Sequence, residues 1–188
     1  KFKYPYYFRL PAMQIYALHI TIKFFEILKP LKIDFFLTGG NLLGAVRQES
    51  FAGRPTDVDL GIKEDQVSKL QEAIPLLIKN GARFIRREPY DKVEKLQILF
   101  PCILVDISVY RKKNVGANEI WIGEIYEHIE KKINGFPFPA DDLKNLITIK
   151  ICGKEFLSPA NPEIYLEKVY GKNWRIPDKK QFSWIKKP

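Results

Sequence analysis

The sequence predicts an α+β domain, a mixed β-sheet flanked by helices, and three observations carry that expectation. Ile33–Leu37 is an apolar run with the length and aromatic, β-branched content of a buried strand, and a Gly39-Gly40 turn leads from it into a short helix at Leu42–Arg47. Asp57–Ile62 and Ile103–Tyr110 alternate as strands do, with carboxylates set into otherwise apolar runs. Between them, Glu64–Lys79 is patterned as an amphipathic helix, with Val67, Leu70, Ile74, Leu77 and Ile78 on one face.

A chain of 188 residues with 46% hydrophobic residues is long enough to bury one sizeable core, so 1–188 is read as a single domain. No run approaches the length of a membrane span, and no signal-peptide pattern is visible. Two cysteines and two histidines are too few for a disulfide framework or a Cys/His zinc site, and Cys102 and Cys152 are expected as small buried hydrophobes. A net charge of +9 implies an anionic partner: a phosphate substrate, nucleic acid, an acidic polymer or a membrane surface.

In chain order, the aromatic and basic stretch KFKYPYYFRL is expected as an arm packing its rings on the domain. Pro11 suits the first turn of a helix over about 11–29, apolar on nearly every side, with His19 among its core residues and Lys29-Pro30 as its stop. Pro75 predicts a kink in the helix over 64–79, and Asn80-Gly81 closes it. Strands are expected at Ala82–Arg87, Lys95–Phe100 and Ile103–Tyr110, with Glu88–Asp91 as a turn. Glu119–Ile122 reads as a further strand, Glu127–Lys132 as a charged segment, and Asn134-Gly135 as a turn flanked by Phe136–Pro139. Asp141-Asp142 lacks strand periodicity and reads as a helix start. Ile147–Ile151 and Glu155–Leu157 form a hairpin about Gly153. A helix at Glu163–Tyr170 stops at Gly171, and a basic tail completes the C-terminal part, about 161–188.

The chemistry concentrates in FFLTGGNLLGAVRQESFAGRPTDVDLGI. A glycine turn at a helix N-terminus offers backbone N–H groups and a favourable dipole to an anion. Asp57 and Asp59 project from one face of their strand, where two carboxylates repel each other unless a cation lies between them. Asp106 sits mid-strand in a run that otherwise reads as core, and a buried charge needs a partner. A structural ion pair would satisfy it; so would a metal shared with Asp57 and Asp59. In this order and spacing the parts suit two-metal phosphoryl or nucleotidyl transfer.

TGGNLLGAVR followed by TDVDLGI resembles the LicD/fukutin family, and SPANPEIYLEKVYGKNWRIP resembles that family's C-terminal element, with Tyr170, Gly171 and Trp174 in it. Thr56-Asp57-Val58-Asp59 after Pro55, and the Trp-Arg-Ile-Pro ending, look closest to its fukutin-like branch. Two departures stand out: Arg54-Pro55-Thr56 replaces a segment that carries a further acidic residue in many members, and Asn41 replaces a hydroxyl residue. The resemblance implies a DNA-polymerase-β-like nucleotidyltransferase fold. It implies Gly39, Gly40, Asn41 and Arg47 as nucleotide- and phosphate-binding residues, and Asp57, Asp59 and Asp106 as catalytic carboxylates holding Mg²⁺ or Mn²⁺, two ions. The implied reaction moves a phosphorylated alcohol, such as phosphocholine or ribitol phosphate, from a CDP-linked donor to a hydroxyl of a glycan or lipid-linked saccharide. A peripheral membrane contact stays among the expected partners, and nucleic acid is not favoured. Capsule or surface-polysaccharide assembly in the cytoplasm is the expected setting, with the Golgi lumen as the eukaryotic alternative. Two rivals stay open: a nucleotidyltransferase adding NMP to RNA, protein or a small molecule, and a non-catalytic accessory domain of glycan synthesis.

Overall fold

The computed structural model describes residues 6–53, 55–86, 95–101, 103–115, 118–123 and 136–177. Helix α1 (Tyr6–Leu28) runs through a 3-10 turn (Lys29–Leu31) to strand β1 (Phe36–Leu37), helix α2 (Gly39–Gln48) and strand β2 (Asp57–Lys63). A second 3-10 turn (Glu64–Gln66) opens α3 (Val67–Lys79). Strands β3 (Arg83–Arg86), β4 (Lys95–Phe100), β5 (Ile103–Val115), β6 (Asn118–Gly123) and β7 (Phe136–Pro139) follow. The chain continues through α4 (Ala140–Lys144), the hairpin β8 (Ile147–Ile151) and β9 (Lys154–Ser158), and α5 (Pro162–Tyr170).

These strands form one mixed sheet ordered β3-β4-β5-β2-β1-β9-β8, with β6 on the long C-terminal half of β5 and β7 beside β6. β2 and β5 are parallel neighbours over their whole overlap, Asp57–Lys63 against Leu104–Tyr110. One face carries Val58, Leu60 and Ile62 with Val105, Ile107 and Val109, all buried. Helix α1 lies on that face through Ala17, Ile20, Thr21, Phe24 and Leu28, a stripe at helical spacing. There Phe24 meets Phe35 and Phe100 edge-on, at 5.7 and 5.9 Å between ring centres. The opposite face carries the aspartates and is covered by α2 and α5, which pack on each other.

Several expectations are corrected. Helix α1 is already formed at Tyr6, so Pro11 lies inside it; Tyr6–Leu10, expected as part of an arm, belong to the helix, and residues 1–5 lie outside the described residues. This helix is one-sided, with His19 exposed and Ile15 69% exposed, because only one stripe meets the sheet. Likewise Ile78 of α3 is 53% exposed, while Ala73 takes an inner position beside Leu70 and Leu77. Phe136–Pro139, for which the sequence carried no structural expectation beyond flanking a turn, is a strand that among the described residues pairs with β6 alone, an edge position that tolerates proline. Cys152 is an exposed thiol at the β8–β9 turn, with φ at +49°. Cys102, the turn at 88–91, the segment 127–132, the turn at 134–135 and the end of the basic tail lie outside the described residues. Among the described residues no helix is long and apolar enough to cross a membrane.

Candidate active site

The parallel register of β2 and β5 sets Asp59 directly beside Asp106. Neighbouring strands run about 4.8 Å apart, so these two carboxylates start from adjacent backbone positions. Asp57, two residues upstream of Asp59, shares their face. Asp59 and Asp106 are each 8% exposed, and Asp57 is half-buried. The three expected carboxylates therefore occupy one patch of the sheet face.

What holds them differs residue by residue. Asp106 Oδ1 accepts a hydrogen bond from Gln97 Nε2 at 3.1 Å, and Gln97 is its cross-strand partner on β4. Asp59 Oδ2 accepts the Gly40 N–H at 3.0 Å. Asn41 Oδ1 accepts the main-chain N–H of Asp59 at 2.8 Å, and Asp59 O accepts the Thr38 N–H at 3.1 Å. The β1–α2 corner is thus laced to β2 around a single aspartate.

Gly39 shows why this corner needs glycine. Its φ is +50°, and a β-carbon there would lie 2.3 Å from Asp59 Oδ2, so Asp59 occupies the space a side chain would take. Helix α2 begins at Gly39 itself, which makes the two glycines its first turn, one turn earlier than the expected helix at Leu42. Sequence reasoning expects these amides to face a ligand phosphate. In the structure the Gly40 N–H is given to Asp59 and the Gly39 N–H to Tyr165 Oη at 3.1 Å.

Two buried donors beside this corner, Asn41 Nδ2 and Arg47 Nε, have no acceptor among the described residues. Arg47, in the last turn of α2, shares a helix face with Gly40, at positions i and i+7. It also lies near enough to Tyr170 to act on that hydroxyl's ionisation, together with Asp59 and Asp57.

Four residues that sequence reasoning left out of the site belong to it. Gln97 carries a detectable signal, an amide between the apolar Leu96 and Ile98 on a buried strand. Tyr110 carries none, and Tyr165 and Tyr170 stand out only as part of the family-like C-terminal element, because the convergence of the three depends on how α5 returns to the sheet. Tyr110 and Tyr165 are buried and joined by a hydroxyl–hydroxyl bond. Burial raises the pKa of both, as does the charge of nearby Asp59, and burial likewise raises Tyr170. All three are therefore neutral hydroxyls at physiological pH. The rings of Phe36, Tyr110, Phe138 and Tyr165 pack in a row, the first two contacts tilted and the last pair stacked, with centres 4.8 Å apart and planes within 10° of parallel.

Carboxylate oxygens are hard donors, the chemistry that suits Mg²⁺ or Mn²⁺, and Asp57, Asp59 and Asp106 are the residues here that could hold such an ion. Among the described residues no three Asp, Glu, His or Cys side chains already close on one point as a metal site would. Two of the three carboxylates are instead turned to the Gly40 and Gln97 donors.

A mixed sheet bearing paired aspartates beside a glycine-led helix places this domain among nucleotidyltransferase-like folds. The solution structure of the antibiotic-resistance factor ANT(2'')-Ia aligns with a TM-score of 0.55 over 88% of this chain and 76% of its own; at 12% identity, that likeness concerns the fold. The chain belongs to the family described as LicD/FKTN/FKRP, nucleotidyltransferase domain, whose model matches residues 32–161. It is similar to the ribitol-5-phosphate transferase FKTN of Mus musculus, 31% identical over 178 residues that cover 87% of the chain. The Homo sapiens protein of the same name is 28% identical over the same span. The chain spans about a third (34%) of the length of these relatives.

Proposed function

We propose that this domain is a metal-dependent transferase of the polymerase-β type that moves a phosphorylated alcohol from a CDP-linked donor to a glycan hydroxyl. Ribitol phosphate is the first candidate for the group moved, on the strength of the FKTN relatives' name. The observation that carries the reading is one patch with opposite demands. Three clustered carboxylates call for cations, and two buried N–H donors beside them call for an anion. A metal-bound diphosphate answers both.

In this reading Asp57, Asp59 and Asp106 hold Mg²⁺ or Mn²⁺, two ions. When bound, the metal neutralises phosphate charge and stabilises the leaving nucleotide. Arg47 and Asn41 bind the donor phosphates through their buried donors, while Gly39 and Gly40 shape the corner that seats Asp59. Asp106, held by Gln97, orients the acceptor hydroxyl and takes its proton. Tyr170 borders the patch as a neutral hydroxyl within electrostatic reach of Arg47 and of Asp57 and Asp59.

The test is a calorimetric titration of CDP, CTP, ATP and GTP in Mn²⁺, followed by single-turnover transfer from CDP-ribitol and CDP-choline to oligosaccharide acceptors. Preference for the cytidine nucleotides, with alcohol phosphate found on the acceptor, supports the proposal. Preference for ATP or GTP with NMP on the acceptor overturns it in favour of nucleotidyl transfer, and no nucleotide binding in any metal points to the accessory role.

A further inference from the structure

The glycine corner is not self-supporting. Gly39 has a left-handed φ and gives its N–H to a side chain 126 residues away, Tyr165 of α5. That tyrosine is fixed from three directions. Its ring stacks on Phe138 at 4.8 Å, its hydroxyl bonds to the buried hydroxyl of Tyr110, and the same oxygen accepts the Gly39 N–H at 3.1 Å. Tyr110 in turn stands on β5, the strand that carries Asp106. The peptide it anchors is the one against which Asp59 rests. Asp59 Oδ2 sits where a β-carbon of Gly39 would be, and it accepts the next N–H, that of Gly40.

The geometry points to Tyr165 as a positioning residue for Asp59. By clasping the Gly39 amide, it fixes the corner that sets the orientation of the Asp59 carboxylate. Through its bond to the Gly39 N–H, Tyr165 acts on Asp59 by way of the Gly39–Gly40 backbone. Without its oxygen the Gly39 N–H is buried and unsatisfied, so the peptide must turn to find a partner, and the Gly40 bond to Asp59 moves with it. The consequence for metal binding rests on the reading of Asp59 as a metal ligand. The clasp itself does not.

Tyr165→Phe removes the acceptor oxygen and keeps the ring stack on Phe138. Tyr110→Phe keeps the acceptor and removes only the bond that orients it. In the metal-free protein, amide hydrogen exchange by NMR should show Gly40 exchanging at least about tenfold faster in Tyr165→Phe, while the core amides of Leu60 and Ile107 keep their rates. Titration with Mn²⁺ should show roughly tenfold weaker binding in the same variant, the scale of lost support behind a ligand. Tyr110→Phe should shift both readouts in the same direction by less. Unchanged Gly40 exchange in Tyr165→Phe overturns the proposal, and so does a uniform acceleration of all amides, which would mark the hydroxyl as general fold support. If Tyr165→Phe does not fold, Tyr110→Phe decides: faster exchange confined to Gly40 supports the clasp, and unchanged exchange overturns it. A wild-type protein that binds no Mn²⁺ overturns the metal reading, and the Gly40 exchange rate still decides the clasp.

Discussion

At the scale of single residues, Asp57 and Asp59 carry the clearest prediction. Asp57→Asn and Asp59→Asn keep the shape of the side chain and an oxygen acceptor but remove the charge that would hold a cation. Each should lower transfer at least about 100-fold while the melting temperature stays within a few degrees, since removing one of two neighbouring carboxylates also relieves repulsion. Loss of folding with normal specific activity in the soluble fraction would mark them as structural. The two glycines, adjacent in sequence, should respond oppositely to alanine. At Gly39 the new methyl meets the Asp59 carboxylate at 2.3 Å in a left-handed backbone, so Gly39→Ala should cost about 2 kcal/mol or more and weaken Mn²⁺ binding. At Gly40 the nearest atom is Asp59 Oδ2 at 3.7 Å, an ordinary contact, and Gly40→Ala should be within about 0.5 kcal/mol of wild type or slightly stabilising. Urea melts of the pair read both outcomes directly.

At the scale of elements, β2 and β5 form the platform and the aromatic stack is its footing. Gly61 of β2 lies under Phe36, its cross-strand partner; a β-carbon there would be 2.3 Å from the Phe36 ring and 2.9 Å from that of Tyr110. Gly61→Ala should therefore overpack the stack and cost about 1–3 kcal/mol in a denaturant melt. Because Tyr110 sits in that stack and bonds to Tyr165, the same substitution should disturb the Gly39 clasp. A melt unchanged from wild type would show that the two rings can shift aside at no cost. The element that closes the site is α5, far along the chain from the glycine corner, and its contact with α2 completes the patch.

For the whole molecule the buried tyrosines set an alkaline limit. Tyr110 and Tyr165 have folded pKa values raised above the ordinary value near 10, mainly by burial. Above pH 10 the unfolded chain releases these protons and the folded one retains them, so the unfolded state binds fewer protons and stability falls as pH rises. The slope is about 1.4 kcal/mol per pH unit for each such tyrosine. Below pH 10 both states keep the protons and neither group contributes. Thermal melts from pH 8 to 11.5 should fall steeply above pH 10, and Tyr110→Phe should flatten that fall; an equally steep fall in the variant would place its cause elsewhere.

The sequence by itself determined the chain's local grammar. The periodicities of Glu64–Lys79, Lys95–Phe100 and Ile103–Tyr110, the hairpin around Gly153 and the helix ending at Gly171 all follow from spacing and backbone preference, which act between neighbours. It also marked Asp57, Asp59 and Asp106 as residues whose charge did not belong in an apolar strand. Its errors lie where a face has to choose a partner. His19 and Ile78 look like core until the helices meet the sheet along one stripe only. Tertiary structure alone decided that Asp59 stands in register with Asp106, because strand order and register are set by non-local packing. It alone decided that the glycine amides are given to Asp59 and Tyr165, since burial obliges each N–H to find whatever acceptor the fold brings near, and that acceptor lies 126 residues away for Gly39.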